Sequence, residues 1–356
     1  MTTDSVALRV GGLIYEGWTH VDIETSLTTI SGEFSLSVTE RWPGQQAAWA
    51  VAPGMACSVA IGETVLITGY INDREVSYDD GSHRVTLRGR DKTGDLVDCA
   101  AVVDGVGSWN SVSVMEVGRT LLKPFGIKIS STVSDTNKVL AAHGIQLGET
   151  VWECLERAIR QYGVLAMTDG SGNLVLTRPG GGPALAEVRL GGNILEGNGR
   201  ISDRETFRDY YVLGQFPGSA DSYSDPRITN GASGRASDPN VERYRPTIVQ
   251  VECNTGDMTY LPTRARWEAA WRSGRARQIT VLVQGWRDAA GAVYRPNSMI
   301  RLEDGFMGVH ESLLVDTVRL TIEPGGQMAE LTLTRKEAFI PEPLTSWPPY
   351  DPKGAP

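Results

Sequence analysis

The chain has 356 residues, more than one ordinary core holds, so two or more domains are expected. Forty per cent hydrophobic and 22% charged residues make a globular composition, which excludes disordered and fibrous classes. A formal net charge of −9 argues against a nucleic-acid binder, whose surface carries a basic footprint. Solubility explains the acidity, and a wall past which DNA merely slides would share it.

The 40 glycines and 18 prolines point to many turns and to short strands rather than long helices. Twenty-eight arginines against six lysines suit planar, interfacial contacts and tilt towards an oligomer, although genomic base composition gives the same ratio. Cys57, Cys99, Cys154 and Cys253 lie far apart with no CxxC pair, so reduced thiols are expected rather than a metal cluster or disulfide framework. Met1-Thr2-Thr3-Asp4 lacks the basic and apolar regions of a signal peptide. No apolar run approaches the ~20 residues needed to span a bilayer, and no membrane insertion is expected.

Taken in chain order, residues 1–92 read as a first β-barrel-like domain. Phe34, Leu36 and Val38 alternate with Ser35, Ser37 and Thr39, the period of a half-buried strand. Cys57 to Ile61, Val65 to Tyr78 and His83 to Arg90 continue as strands, with a hairpin turn at Asp79-Asp80-Gly81. Residues 93–178 read as an inserted α+β domain. Val114, Val117, Leu121 and Leu122 have helical spacing up to Pro124, and Val151, Leu155, Ile159 and Tyr162 form a second stripe stopped by Gly163. A hairpin turning at Asp169 to Asn173 follows, and Pro179-Gly180-Gly181-Gly182-Pro183 reads as a linker.

Residues 179–215 are expected to return as strands that complete the first barrel or bridge onward. Residues 216–340 read as a second β-barrel-like domain, with a surface loop over 217–241 and a helix near 263–275. Trp267 and Trp271 share one helix face and are expected to pack on a sheet, with stacking on sugars or bases as the alternative. Residues 341–356 hold six of the prolines and form an extended tail.

The candidate chemistry is thin. His20, His83, His143 and His310 are scattered, no Gly-x-Ser-x-Gly elbow is present, and no acid pair selects itself for glycoside hydrolysis. The glycines from Gly191 to Gly199 read as a turn or linker, because they neither open a βαβ unit nor carry a P-loop lysine. No catalytic, cofactor-binding or metal-binding residue is named, and no cofactor is expected. Trp347 and Tyr350 in the tail are the candidate partner-docking residues.

A weak internal duplication carries the most information. Trp42 to Pro53 spans eleven positions and Trp286 to Pro296 spans ten; Pro53 to Gly81 spans 28 and Pro296 to Gly325 spans 29. The closing strands end alike, at Arg90-Asp91-Lys92 and at Thr334-Arg335-Lys336. A chain holding two like barrels can present six near-equivalent modules as a trimer, and exposed barrel edges would accept strands from neighbours.

Several strings in this order resemble one family. They are Gly32-Glu33-Phe34-Ser35-Leu36 leading to Pro43-Gly44, the run Gly89-Arg90-Asp91-Lys92-Thr93-Gly94-Asp95-Leu96-Val97-Asp98-Cys99, the helix and hairpin Thr150 to Arg178, Arg208 to Gln215, and Gln284-Gly285-Trp286 followed by Arg295-Pro296-Asn297. Over roughly residues 5 to 340 the chain resembles the tail hub family of Mu-like bacteriophages, itself similar to other contractile-tail hubs and to the hub part of type VI secretion spikes. The resemblance implies a mainly β fold with an α+β insertion: two similar β-barrel-like hub domains plus smaller α+β domains. It also implies a non-enzymatic homotrimer in the virion tail baseplate, assembled in the host cytoplasm. That trimer would join a six-fold tail tube protein to a three-fold central spike protein beside other baseplate proteins, with DNA passing through its channel unread. The competing expectations are a tail-tip cell-wall hydrolase and a host-surface carbohydrate-binding β module.

Overall fold

The computed structural model describes residues 4–39, 51–79, 83–105, 107–137, 139–160, 162–215, 233–252, 260–323 and 325–342. The first module holds β1 (Val6–Val10), β2 (Leu13–Tyr15), β3 (His20–Ser26), β4 (Glu33–Thr39), β5 (Ala56–Ile61), β6 (Thr64–Tyr78) and β7 (His83–Asp91). The expected alternation is present: Phe34 and Leu36 of β4, and Val85 and Leu87 of β7, turn into the core.

The middle segment holds α1 (Gly94–Asp98), β8 (Ser108–Ser113), α2 (Val114–Leu122), β9 (Ile129–Ser131), β10 (Val139–Gly144), α3 (Val151–Arg160), β11 (Leu165–Thr168) and β12 (Leu174–Thr177). Ser113 opens α2 with a reciprocal cap, its Oγ accepting from Glu116 N–H while its own N–H donates to Glu116 Oε2 at 3.0 Å. Thr150 and Glu153 start α3 in the same way. Both helices bury their apolar faces in a second core, built on Val117, Leu121, Leu155, Ile159, Leu174 and Leu176 and joined by Ile30 of the first module.

The last portion holds β13 (Val188–Arg189), β14 (Ile194–Ile201), β15 (Asp209–Gln215), β16 (Ser233–Ser237), β17 (Pro246–Glu252), α4 (Tyr260–Arg275), β18 (Arg277–Gln284), β19 (Met299–Asp304), β20 (Val309–Glu323) and β21 (Gly326–Thr334). The mainly β fold is borne out, and the pairing repeats one strand order in two modules. In the first module β3 pairs β4, β4 pairs β7, β7 pairs β6 and β6 pairs β5, all antiparallel. In the second, β14, β18, β21, β20 and β19 repeat that order and sense. The corresponding strands β5 and β19 have six residues each, β6 and β20 fifteen, and β7 and β21 nine. Each long strand even breaks register midway, at Ile71/Asp73 and at Val315/Thr317.

The two modules are not separate bodies. Their strands form one 13-stranded sheet, and Leu8, Ile23, Leu36 and Leu87 share a single hydrophobic core with Val281, Val318, Leu320 and Leu331.

Four expectations need correction. Strands within 179–215 do not complete the first barrel: β13 pairs β19 and β14 pairs β18, so both belong to the second module. Gly191 to Gly199 is not a turn throughout, because β14 runs through Gly197 and Gly199, where a Cβ would stand 2.7 Å and 2.9 Å from the Met307 side chain. The second barrel does not fill 216–340, since β15, β16 and β17 form their own sheet under α4 with Val212, Leu261 and Ala265 between them. Part of the supposed loop over 217–241 is thus the strand β16, and its residues 217–232 lie outside the described residues. Finally, the 179–183 linker is fastened. Gly180 N–H donates to Asn297 Oδ1 at 2.8 Å, Gly182 N–H donates to Asn297 O, and Asn297 Nδ2 donates to Arg178 O.

Candidate functional site

The joint between the two modules is the candidate functional feature of this fold. Beyond its register break, β20 pairs on one side with β21 and on the other with β3, setting Thr317 opposite Ser26, Arg319 opposite Glu24 and Thr321 opposite Asp22. On the apolar face Val318 and Leu320 meet Ile23, all 2% exposed or less. On the polar face Arg319 donates to both carboxylate oxygens of Asp22, at 2.9 Å and 2.6 Å, the bidentate geometry arginine is built for. Arg319 is held above its ordinary pKa chiefly by the hydrogen bond to Asp22. Burial and then neighbouring Glu33 push the Glu24 carboxyl up. Ser26 and Thr317 close the seam with a hydroxyl–hydroxyl bond of 2.8 Å. Nothing local in the sequence marks these residues, since Asp22 and Glu24 are ordinary strand alternations nearly 300 positions from Arg319.

A second linkage ties the first module to the middle domain. Asp91 is 2% exposed and accepts from Thr93 N–H, Thr93 Oγ1 and, across the interface, Thr168 Oγ1 at 3.0 Å. Burial raises its pKa, the hydrogen bonds opposing. This aspartate lies within the Gly89 to Cys99 string, so that string anchors the first module to the middle domain.

One constellation has the residue types of nucleophilic catalysis. The Sγ of Cys154 lies 3.5 Å from Nε2 of His143, with Glu149 nearby. Burial and Glu149 push the Cys154 thiol up to about 12, and burial followed by Arg157 lowers His143, so the pair is thiol and neutral imidazole rather than thiolate and imidazolium. Cys154 is fully buried, and His143 Nε2 is shared with the Cys154 carbonyl at 3.1 Å. Its chemistry is that of a packed core. Cys57 is likewise buried, its thiol also pushed up to about 12. Among the described residues no group of three or more His, Cys, Asp or Glu side chains is placed to hold a metal, and no helix is long and apolar enough to cross a membrane.

Trp267 and Trp271 do not pack on a sheet. Their rings stack on each other with centroids 5.4 Å apart, Arg264 and Arg275 lie over them, and Trp267 Nε1 donates to Ile340 O at 2.7 Å. The sheet-facing side of α4 instead carries Leu261 and Ala265, because Gly234 brings β16 so close that a Cβ there would stand 2.1 Å from the Leu261 carbonyl. Beside β14 an open cleft of about 540 Å³ is lined by Arg200, Arg204, Arg272, Arg275 and Arg277, a basic concentration in an acidic chain. Trp347 and Tyr350 lie outside the described residues.

Three family models match. Residues 5–91 match the N-terminal domain of the Mu phage baseplate assembly protein GpP-like family, 93–178 the second domain of the baseplate hub protein gp44-like family, and 259–342 the fourth domain of the Mu phage baseplate assembly protein GpP. Baseplate hub protein gp44 of Escherichia phage Mu is 32% identical over 346 residues, covering 95% of this chain and 89% of the relative. The 43 kDa tail protein of prophage MuSo2 from Shewanella oneidensis superposes with a TM-score of 0.81 at 31% identity, over 95% of this chain and all of that one. An E. coli type VI secretion component, described as structurally similar to the T4 phage tail proteins gp27 and gp5, shares the fold at a TM-score of 0.56 and 12% identity, covering 92% of this chain and 76% of that one. The chain belongs to the family of Mu-like phage baseplate hub proteins, β-rich structural components of the virion tail.

Proposed function

We propose that this hub closes as a homotrimer at the centre of a contractile-tail baseplate and acts as a symmetry adaptor. Its six β modules would offer a six-fold-like face to the tail tube protein, the opposite end would receive a three-fold spike, and a channel between the subunits of this acidic chain would pass DNA without reading it. One observation carries this reading: the chain holds two modules of the same strand order and strand lengths, fused through β20 and β3 into one sheet. Three copies of a doubled module are the smallest closed ring that is both three-fold and nearly six-fold. The role is structural and not enzymatic, and assembly would take place in the host cytoplasm. The buried thiol and neutral imidazole of Cys154 and His143 support the non-enzymatic role.

The proline-rich segment with Trp347 and Tyr350 would dock on the spike or on neighbouring baseplate proteins. Co-expression with the tube and spike proteins from the same genome tests the adaptor. Recovery of a complex containing three hub chains is expected, and a hub that stays monomeric and binds neither protein refutes it. In the same system, deleting residues 341–356 should reduce spike recovery; unchanged recovery removes the docking role. Lysis on a peptidoglycan zymogram would overturn the non-enzymatic assignment.

A further inference from the structure

The internal repeat predicts where the subunits of the proposed ring meet, and in which register. Within the chain, the distal half of β20 adds to β3. The repeat-equivalents of those two strands are the distal half of β6 and the strand β14, matched through the register breaks of β6 and β20 and through the partners β4 and β18. Among the described residues, neither equivalent has a strand on its second side. β6 pairs β5 only up to Tyr70, so Asp73 to Tyr78 present a bare edge, and β14 ends the 13-stranded sheet. We propose that Asp73–Tyr78 of one subunit pairs antiparallel with β14 of the next, repeating between chains the joint that β20 and β3 make within one.

Transferring the five pairs of the internal joint sets Asp73 opposite Ser202, Arg74 opposite Ile201, Glu75 opposite Arg200, Val76 opposite Gly199 and Ser77 opposite Asn198, and one step further along the same ladder Tyr78 would face Gly197. Three features of these residues fit that register independently. Glu75 faces Arg200 as Arg319 faces Glu24 across the internal joint, opposite charges with the signs exchanged. Glu75 already leans on Arg88 of its own sheet and remains more than half exposed, so it can accept a second arginine. Val76 and Tyr78 are 51% and 79% exposed, whereas the equivalent Leu320 is 2% exposed under β3. They would face Gly199 and Gly197, which offer no side chain of their own, and would stand beside Met307. Ile201, 54% exposed on β14, would be covered as well.

Each chain thus carries one bare strand edge of each kind, a head-to-tail arrangement that closes into a ring when the rotation permits. Bare edges of this length with apolar residues are otherwise sites of uncontrolled strand addition.

The partner is a second copy of this chain, and the inference rests on the ring reading given above. Two double variants of the full chain test it, oxidised under native conditions and run on non-reducing gels. Ser77→Cys with Asn198→Cys places the thiols opposite each other and is expected to give a covalent trimer of three 38.6 kDa chains. Ser77→Cys with Arg200→Cys is slipped by two residues and should stay at monomer mass. Circular dichroism of the reduced variants reports folding, and light scattering reports ring formation. A trimer by light scattering that yields no covalent trimer from the first variant, or equal yields from both, overturns this register and leaves the ring standing. A chain that remains monomeric at every concentration, wild type included, overturns both.

Discussion

Leu320→Ala tests whether the two modules form one cooperative core. Leu320 sits at the seam, 2% exposed, opposite Ile23 of the first module (1%) and Ala329 of β21 (0%). Truncation removes the transfer free energy of the lost carbons and leaves a void that strands pinned on both sides cannot collapse, so a loss of about 3 kcal/mol is expected within the usual ~2–5 kcal/mol range. By the scaling for domains of 150–250 residues this lowers the unfolding midpoint by roughly 6–12 °C. The repeat-equivalent Val76 is half exposed in the single chain, so Val76→Ala should shift the dilute chain by no more than about 0.5 kcal/mol. Urea and thermal unfolding followed by circular dichroism and by tryptophan fluorescence provide the readout. A cost below 1 kcal/mol for Leu320→Ala, or two separated transitions in which only one module responds, would refute a shared core.

Asp91 has a folded-state pKa raised by burial. The contribution of its protonated form to stability is therefore fully present below the ordinary carboxylate value and is lost as pH rises from about 4 through the raised value. Asp91→Asn, which removes that titration, should gain on the wild type in urea midpoint over this window; a difference that stays flat with pH would contradict it. Gly234→Ala pushes a methyl group into the backbone of Leu261, and a loss of about 2 kcal/mol or more with detachment of α4 is expected, read by hydrogen exchange along that helix. Trp267→Phe forfeits the bond to the Ile340 carbonyl, costing about 1 kcal/mol and speeding proteolysis after residue 335 while the 13-stranded sheet keeps its protection.

What could be read from the sequence followed how local each signal was. The Phe34–Leu36 alternation and the Val151–Ile159 stripe define β4 and α3 because burial on one face imposes a period that neighbouring residues alone display. The duplication was legible because hairpin lengths are fixed twice by the same long strand, β6 and β20. β14 leaves no local signal because Gly197 and Gly199 read as turn residues; the ladder with the distant β18 makes them a strand, and the Met307 side chain takes the space that their own side chains would need. The fastening of Gly180 and Gly182 by Asn297 is equally nonlocal. The seam of Asp22, Glu24 and Arg319 left no local trace either, since its chemistry exists only once β20 lies against β3. His143 and Cys154 stand 11 positions apart in different elements, and only packing brings them together.

In the proposed assembly a doubled β module turns three chains into a nearly six-fold ring. Electron cryomicroscopy of isolated baseplates, averaged along the tail axis without imposed symmetry, would image that ring. Six similar β lobes arranged as three alternating pairs, with β14 of each chain against β6 of the next, are the predicted image; a single hub chain on the axis, or three lobes with the second module turned away from the ring, would contradict it.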